Sequence, residues 1–209
     1  MHLKKTITTL SAGICMLIFC VSLHAQPLLH RAAADGNLQK VKQLVKNGEK
    51  INGTDSLLQT PLMFAAQHGH TKVVKWLLKH GAKPDLQNYF GETALMLAVQ
   101  KDTAVLVQLL LKKRSDPNLT DRKKWTALML SKSAIVSALL VKKGAQVNYA
   151  TPGSGITALM VAAEEGNLQL VKMLLALKAD REKVTADGKK AIDFAVKNGH
   201  TGIVNLLQN

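Results

Sequence analysis

Few residues of this chain could do covalent chemistry, and their spacing is wrong for it. His68 and His70 stand two apart, with no third ligand near them in sequence to complete a zinc site. Their ordinary role is to close a helix. Glu164 and Glu165 are adjacent, and neighbours on a helix point apart, which makes a poor acid/base dyad. No HExxH, GxSxG or phosphate-cradling glycine loop occurs. Cys15 and Cys20 both fall in an apolar stretch near the start. The rest of the chain therefore has no thiol nucleophile, thiolate ligand or disulfide. Catalytic, cofactor and metal sites are not expected. What remains is chemistry of contact. Leu57, Tyr89, Phe90, Arg122, Lys123 and Trp125 combine large apolar groups with cations, which is the composition of protein-binding hot spots.

The elements that must position these residues are set by a repeat. TPLM at Thr60–Met63 returns as TALM at Thr93–Met96, Thr126–Met129 and Thr157–Met160, with divergent copies opening at Pro27 and Lys190. The successive spacings are 33, 33, 33, 31 and 33 residues. A fixed period of this length implies one small unit stacked many times, with function on an extended surface.

One unit, Thr60 to Glu92, can be read physically. Thr60 can cap a helix, and Pro61 fits its first turn, where the missing N–H costs nothing. Leu62, Ala65 and Ala66 give a small-residue face that lets neighbours approach, and Gly69-His70 ends this helix. Val73, Val74, Leu77 and Leu78 recur at helical spacing. Lys79-His80-Gly81 closes the second helix, with basic groups at its negative end and glycine where the chain turns. An extended turn with Gly91 leads to the next unit. One helix pair cannot bury its apolar face, whereas five or six stacked pairs share a continuous core.

These residues resemble the ankyrin repeat. The openings match, as do the Ala65-Ala66 and Ala162-Ala163 pairs and the Gly69-His70, Gly166-Asn167 and Gly199-His200 turns. So do the paired leucines Leu77-Leu78, Leu109-Leu110, Leu139-Leu140 and Leu174-Leu175, and the closing Gly81-Ala82, Gly144-Ala145 and Asn148. The family's histidine in the opening motif occurs only at His30; methionine replaces it four times. The resemblance covers residues 27 to 209 and implies an all-α solenoid of helix-turn-helix units joined by β-turn fingers. About six repeats are expected, near 27–59, 60–92, 93–125, 126–156, 157–189 and 190–209. The first and last are expected to cap the stack. The fourth is about three residues short, lacks a Gly-His turn, and is followed by a loop one residue longer. The resemblance also implies that a partner meets the finger tips and the exposed ends of the first helices. That places Leu57, Tyr89, Phe90, Arg122, Lys123 and Trp125 on adjacent tips, where the fold needs no large apolar group. Phe64 and Trp76 sit at helical positions and are expected in or against the core.

The first 25 residues differ in kind. Lys4 and Lys5 precede the apolar run Ile14 to Val21, and Ala25 offers a small residue before Gln26-Pro27. The order reads as an export signal cut after Ala25, since the run is short of the ~20 residues a bilayer span needs. A periplasmic domain over 26–209 is expected, monomeric when free and without stable membrane insertion. Without Lys4 and Lys5 the formal charge falls from +14 to +12, which favours acidic partners. Nucleic acid is not expected, because no finger, RNA-binding aromatic motif or long arginine run supports it. Asn52-Gly53-Thr54 and Asn118-Leu119-Thr120 fit a glycosylation sequon, of consequence only in a eukaryote. The expected activity is non-enzymatic: binding and inhibiting an exported enzyme such as a cell-wall peptidase with an acidic cleft rim, in self-protection. The competing readings are a secreted effector that binds a host protein and a scaffold on an anionic envelope polymer.

Overall fold

The structure, a computed structural model, describes residues 27–208. The expected export signal, with Cys15 and Cys20, lies outside the described residues. Twelve helices follow in six pairs: α1 (Leu28–Ala34) with α2 (Leu38–Lys46), α3 (Pro61–Gln67) with α4 (Thr71–Lys79), and α5 (Ala94–Gln100) with α6 (Ala104–Lys112). Then come α7 (Ala127–Leu130) with α8 (Ala134–Lys142), α9 (Ala158–Glu164) with α10 (Leu168–Ala176), and α11 (Ala191–Lys197) with α12 (Thr201–Gln208). The first members pack on one another in chain order from α1 to α11, and the second members do the same from α2 to α12. This is the expected all-α solenoid. β pairing among the described residues is confined to two isolated bridges, Thr120 with Thr126 and Ala150 with Thr157. No helix among them is long and apolar enough to cross a membrane.

The repeated opening explains the first row. The Thr60, Thr93 and Thr157 hydroxyls each accept the backbone N–H three residues on, from Met63, Met96 and Met160, at 3.3 Å. Each such cap is worth about 1 kcal/mol. The next residues are buried almost without exception, because these helices lie between two like themselves. Ala65, Ala66 and Ala163 are fully covered. In the second row one leucine of each pair is the core residue. Leu77, Leu110, Leu140 and Leu174 are buried, while Leu78, Leu109, Leu139 and Leu175 pack against its edge. Burying one such side chain contributes about 1.5–3 kcal/mol.

Adjacent pairs are also tied by hydrogen bonds. His70 Nε2 donates to the Ala34 carbonyl at 2.7 Å, and His200 Nε2 to the Glu164 carbonyl at 3.1 Å. Asn167 Nδ2 does the same to Lys132 at 2.7 Å. Gly36 must be glycine for two reasons: its φ is +70°, and a Cβ there would sit 2.4 Å from the His70 ring. The turn histidines are therefore structural, as expected. His68 is likewise occupied, its Nδ1 donating to the Phe64 carbonyl at 2.9 Å.

Methionine at the opening motif has a clear physical result. Met63, Met96, Met129 and Met160 are all buried and fill their sites by packing. His30 alone adds a polar tie, Nε2 to the Gln59 carbonyl at 3.0 Å. Its Nδ1 is buried without a partner, and burial pushes the imidazole pKa down.

The fourth pair is irregular in the expected way. Helix α7 has four residues where the other first-row helices have seven. Ser131 and Ser133 are extended and no glycine turn follows. The lost turn is replaced by a buried polar contact: Ser137 Oγ donates to Ser131 Oγ at 3.0 Å, and Ser131 Oγ to the Ser133 carbonyl at 3.2 Å. Asn52 and Asn118 spend their side-chain amides on the next repeat, on the Gly81 and Gly144 carbonyls.

Candidate protein-binding surface

The fingers are built by one local rule. In each, a side-chain oxygen at the base accepts the backbone N–H that returns from the tip. Asp55 accepts from Gln59 at 2.8 Å, Asn88 from Glu92 at 2.9 Å, and Asp121 from Trp125 at 2.8 Å. Thr185 does this for Lys189 at 3.0 Å, and Thr151 for Ile156 at 2.9 Å across the one-residue-longer fourth finger. The same residue pairs also close backbone bonds, such as Asn88 N–H to the Glu92 carbonyl at 3.0 Å. Short polar side chains of this kind hold tight turns.

Tips are then joined to tips. Tyr89 N–H donates to the Leu57 carbonyl at 2.8 Å, and Arg122 N–H to the Phe90 carbonyl at 2.9 Å. Gln87 Nε2 bridges the Gly91 and Thr120 carbonyls at 2.7 and 2.9 Å. Gly91 permits this approach, since a Cβ there would lie 2.8 Å from the Arg122 nitrogen. The first three fingers therefore form one stiff edge.

Most of the expected contact residues come together on that edge. Leu57, Tyr89 and Phe90 are exposed at 42%, 47% and 51%, far more than a large apolar group needs for folding. The Tyr89 and Phe90 rings meet edge to face at 5.5 Å. The Arg122 guanidinium lies over the Tyr89 ring, its Cζ 3.8 Å from the centroid, a cation–π pair that fixes its position. Lys123 is exposed beside it. Trp125 departs from the expectation: it is half-buried and packs against the hydrophobic core. It closes the third finger at the cap of α7, so the ring falls back over the helices. Phe64 is buried and Trp76 half-buried against the core, as expected.

The sequence reading missed Leu58 and Lys124. Both are exposed and both take a left-handed backbone, φ +59° and +64°, at the finger position held by Gly91, Gly155 and Gly188 elsewhere. With Tyr89 and Arg122 they line a shallow hollow of about 310 Å³ between the second and third fingers. It also missed the bases. Asp55, Asn88 and Asp121 recur every 33 residues, a signal that was available.

The exposed ends of the first helices add polar groups. Gln67, His68, Gln100 and Lys101 are exposed, and Gln100 Nε2 donates to Glu92 Oε1 at 3.2 Å. The three ion pairs among the described residues all involve residues from 132 onward. Arg122, Lys123 and Lys124 therefore have no acidic partner, and the nearby Asp121 is occupied by the Trp125 N–H. No group of three histidine, cysteine or carboxylate side chains among the described residues could hold a metal.

Comparison with known proteins agrees with this geometry. The family model described as Ankyrin repeats (3 copies) matches overlapping segments 29–121, 72–151, 102–180 and 131–209. A chain of the complex between the predatory endopeptidase Bd0816 of Bdellovibrio bacteriovorus and the immunity protein Bd3460 superposes with a TM-score of 0.80. It is 28% identical, over 88% of this chain and 98% of that one. The ankyrin repeat domain of Bcl-3, a member of the IkappaB protein family, gives a TM-score of 0.79 at 26% identity, over 88% of this chain and 86% of its own. No curated protein matches. From the recurring openings, the two rows of helices and this coverage, the chain belongs to the ankyrin-repeat family.

Proposed function

We propose that this protein is a non-enzymatic binding module that acts in the periplasm after removal of residues 1–25, where it binds and inhibits an exported cell-wall peptidase and so protects the cell that makes it. The observation that carries this reading is the stiff edge of three stitched fingers, with Leu57, Tyr89, Phe90 and Arg122 exposed on it. A rigid protruding edge that presents large apolar groups and a fixed cation can enter a cleft at little cost in ordering. Similarity to a chain of an endopeptidase–immunity protein complex supports a peptidase as the partner class. The unpaired cations of the third finger favour an acidic rim around the cleft.

The test is direct. The protein is mixed at rising ratio with cell-wall endopeptidases, Bd0816 among them, and release of peptide from purified peptidoglycan is followed. Inhibition that saturates near one to one is expected, with a Tyr89→Ala, Phe90→Ala double variant losing it. An unaffected rate with every peptidase tried overturns the inhibitor reading. Binding to peptidoglycan alone, falling steeply with salt, would instead mark an envelope scaffold. Fractionation and N-terminal sequencing of the exported chain check the compartment: a periplasmic protein that begins at Gln26 is the expected result, and protein in the medium favours an effector.

A further inference from the structure

The hollow between the second and third fingers has a chemistry of its own. Its walls include Leu58 and the Tyr89 ring on one side, and Arg122 and Lys124 on the other. Two of these four residues occupy a strained backbone that the fold does not demand. Leu58 and Lys124 have φ of +59° and +64°, where the equivalent Gly91, Gly155 and Gly188 adopt φ of +79°, +73° and +78° without strain. Glycine would serve every finger equally well. Leu58 is also the one apolar side chain among the five non-glycine residues with positive φ, and it is about half exposed. Strain that persists beside an open hollow points to use of the side chains.

The charges indicate what enters. The Arg122 guanidinium is stacked on Tyr89, which leaves its in-plane N–H groups free for a carboxylate in two-point geometry. Lys124 has no acidic partner. A side chain with an apolar stem and an anionic end complements this arrangement: the stem against Leu58 and Tyr89, the carboxylate between Arg122 and Lys124. We infer that this hollow recognises a glutamate side chain on an exposed loop of the protein partner. The inference deepens the proposed binding surface and rests on that reading for the partner, but not on the partner's being a peptidase.

A test that needs no identified partner keeps the two separable. Amide resonances of isotopically labelled protein, expressed from the full-length gene, are followed during titration with a capped tetrapeptide carrying one central glutamate. Its glutamine twin and inorganic phosphate are the other arms. The expected result is saturable shifts at Tyr89, Gly91, Arg122 and Lys124, with binding roughly tenfold weaker for the glutamine peptide. Leu58→Gly provides the second measurement. It should leave the melting temperature unchanged or raise it, because glycine relieves the left-handed strain, while weakening the glutamate peptide by roughly fivefold. Equal responses to glutamate and glutamine overturn the inference. So do shifts centred on Lys112 and Lys113, phosphate reproducing the peptide's pattern, or Leu58→Gly binding as well as the parent. A protein that fails to inhibit any peptidase yet passes this titration would lose its proposed target and keep its glutamate site.

Discussion

The first three fingers and the last two are built alike and present different chemistry. Asp55, Asn88 and Asp121 hold the first three closed, and Thr151 and Thr185 do the same for the others. Both sets are linked tip to tip, Tyr89 to Leu57 in one and Ala186 to Ser154 in the other. On the first set stand Leu57, Leu58, Tyr89, Phe90 and three unpaired cations. On the second stand Gly153, Ser154, Ala186 and Asp187, and the charge there is satisfied in place. Asp187 pairs with Lys189, and the lysine together with the Thr185 hydroxyl holds the Asp187 carboxyl down to about 2. Since small and self-neutralised tips suffice for the fourth and fifth fingers, the large apolar tips of the first three are surplus to folding. The shortened α7 lies between the two sets, so the break in regular stacking falls where the surface changes character.

The comparison fails if the tips prove to be core. Leu110→Ala should destabilise the protein by about 3–5 kcal/mol, because Leu110 is fully buried and its neighbours cannot collapse into the space. Phe90→Ala should change stability by no more than about 0.5 kcal/mol. Urea unfolding of both variants checks this. A Phe90→Ala loss approaching that of Leu110→Ala would make the tip aromatics part of the fold.

Affinity should divide the molecule in the opposite way. Tyr89→Ala and Phe90→Ala are each expected to weaken binding to the inhibited peptidase by about 2 kcal/mol. Ser154→Ala and Asp187→Ala should leave it within about 0.5 kcal/mol. Trp125→Ala sharpens the contrast, since its half-buried ring should cost more in urea midpoint than in affinity. Calorimetric titration beside unfolding curves separates the two quantities. An affinity loss at Trp125 equal to that at Phe90, with stability intact, would put the tryptophan back on the surface.

The repeat was legible because each opening does one job in every unit: a threonine that caps, then residues that must be buried on both sides. The shortened fourth unit was legible for the same reason, as missing residues in a counted period. Exposure was harder to read. Trp125 and Phe90 both follow a turn and lie near the same register, but only the geometry of the adjoining helix decides which ring folds back. Leu58 could not be found by pattern at all. Its importance lies in a backbone angle that leucine does not advertise, and glycine at Gly91 and Gly188 marks the position only after the fingers are superimposed. The finger bases, by contrast, were spelled out at 55, 88 and 121 and were overlooked because acids and amides in turns are common.

The smallest effect concerns the first repeat, where His30 does what methionine does in four others. Burial pushes its pKa below 6.5, so the folded protein keeps the ring neutral at a pH where the unfolded chain already takes up a proton. Stability linked to this residue is therefore complete above pH 6.5 and declines as pH falls from there through the folded-state pKa. The expected observation is a lower urea midpoint at pH 5.5 than at pH 7.5. His30→Met, which copies the buried Met63, Met96, Met129 and Met160, should lose the Gln59 hydrogen bond and with it some stability at pH 7.5, yet shrink the difference between the two pH values. An unchanged difference in that variant would assign the pH response to the exposed or turn histidines and leave His30 as an inert packing residue.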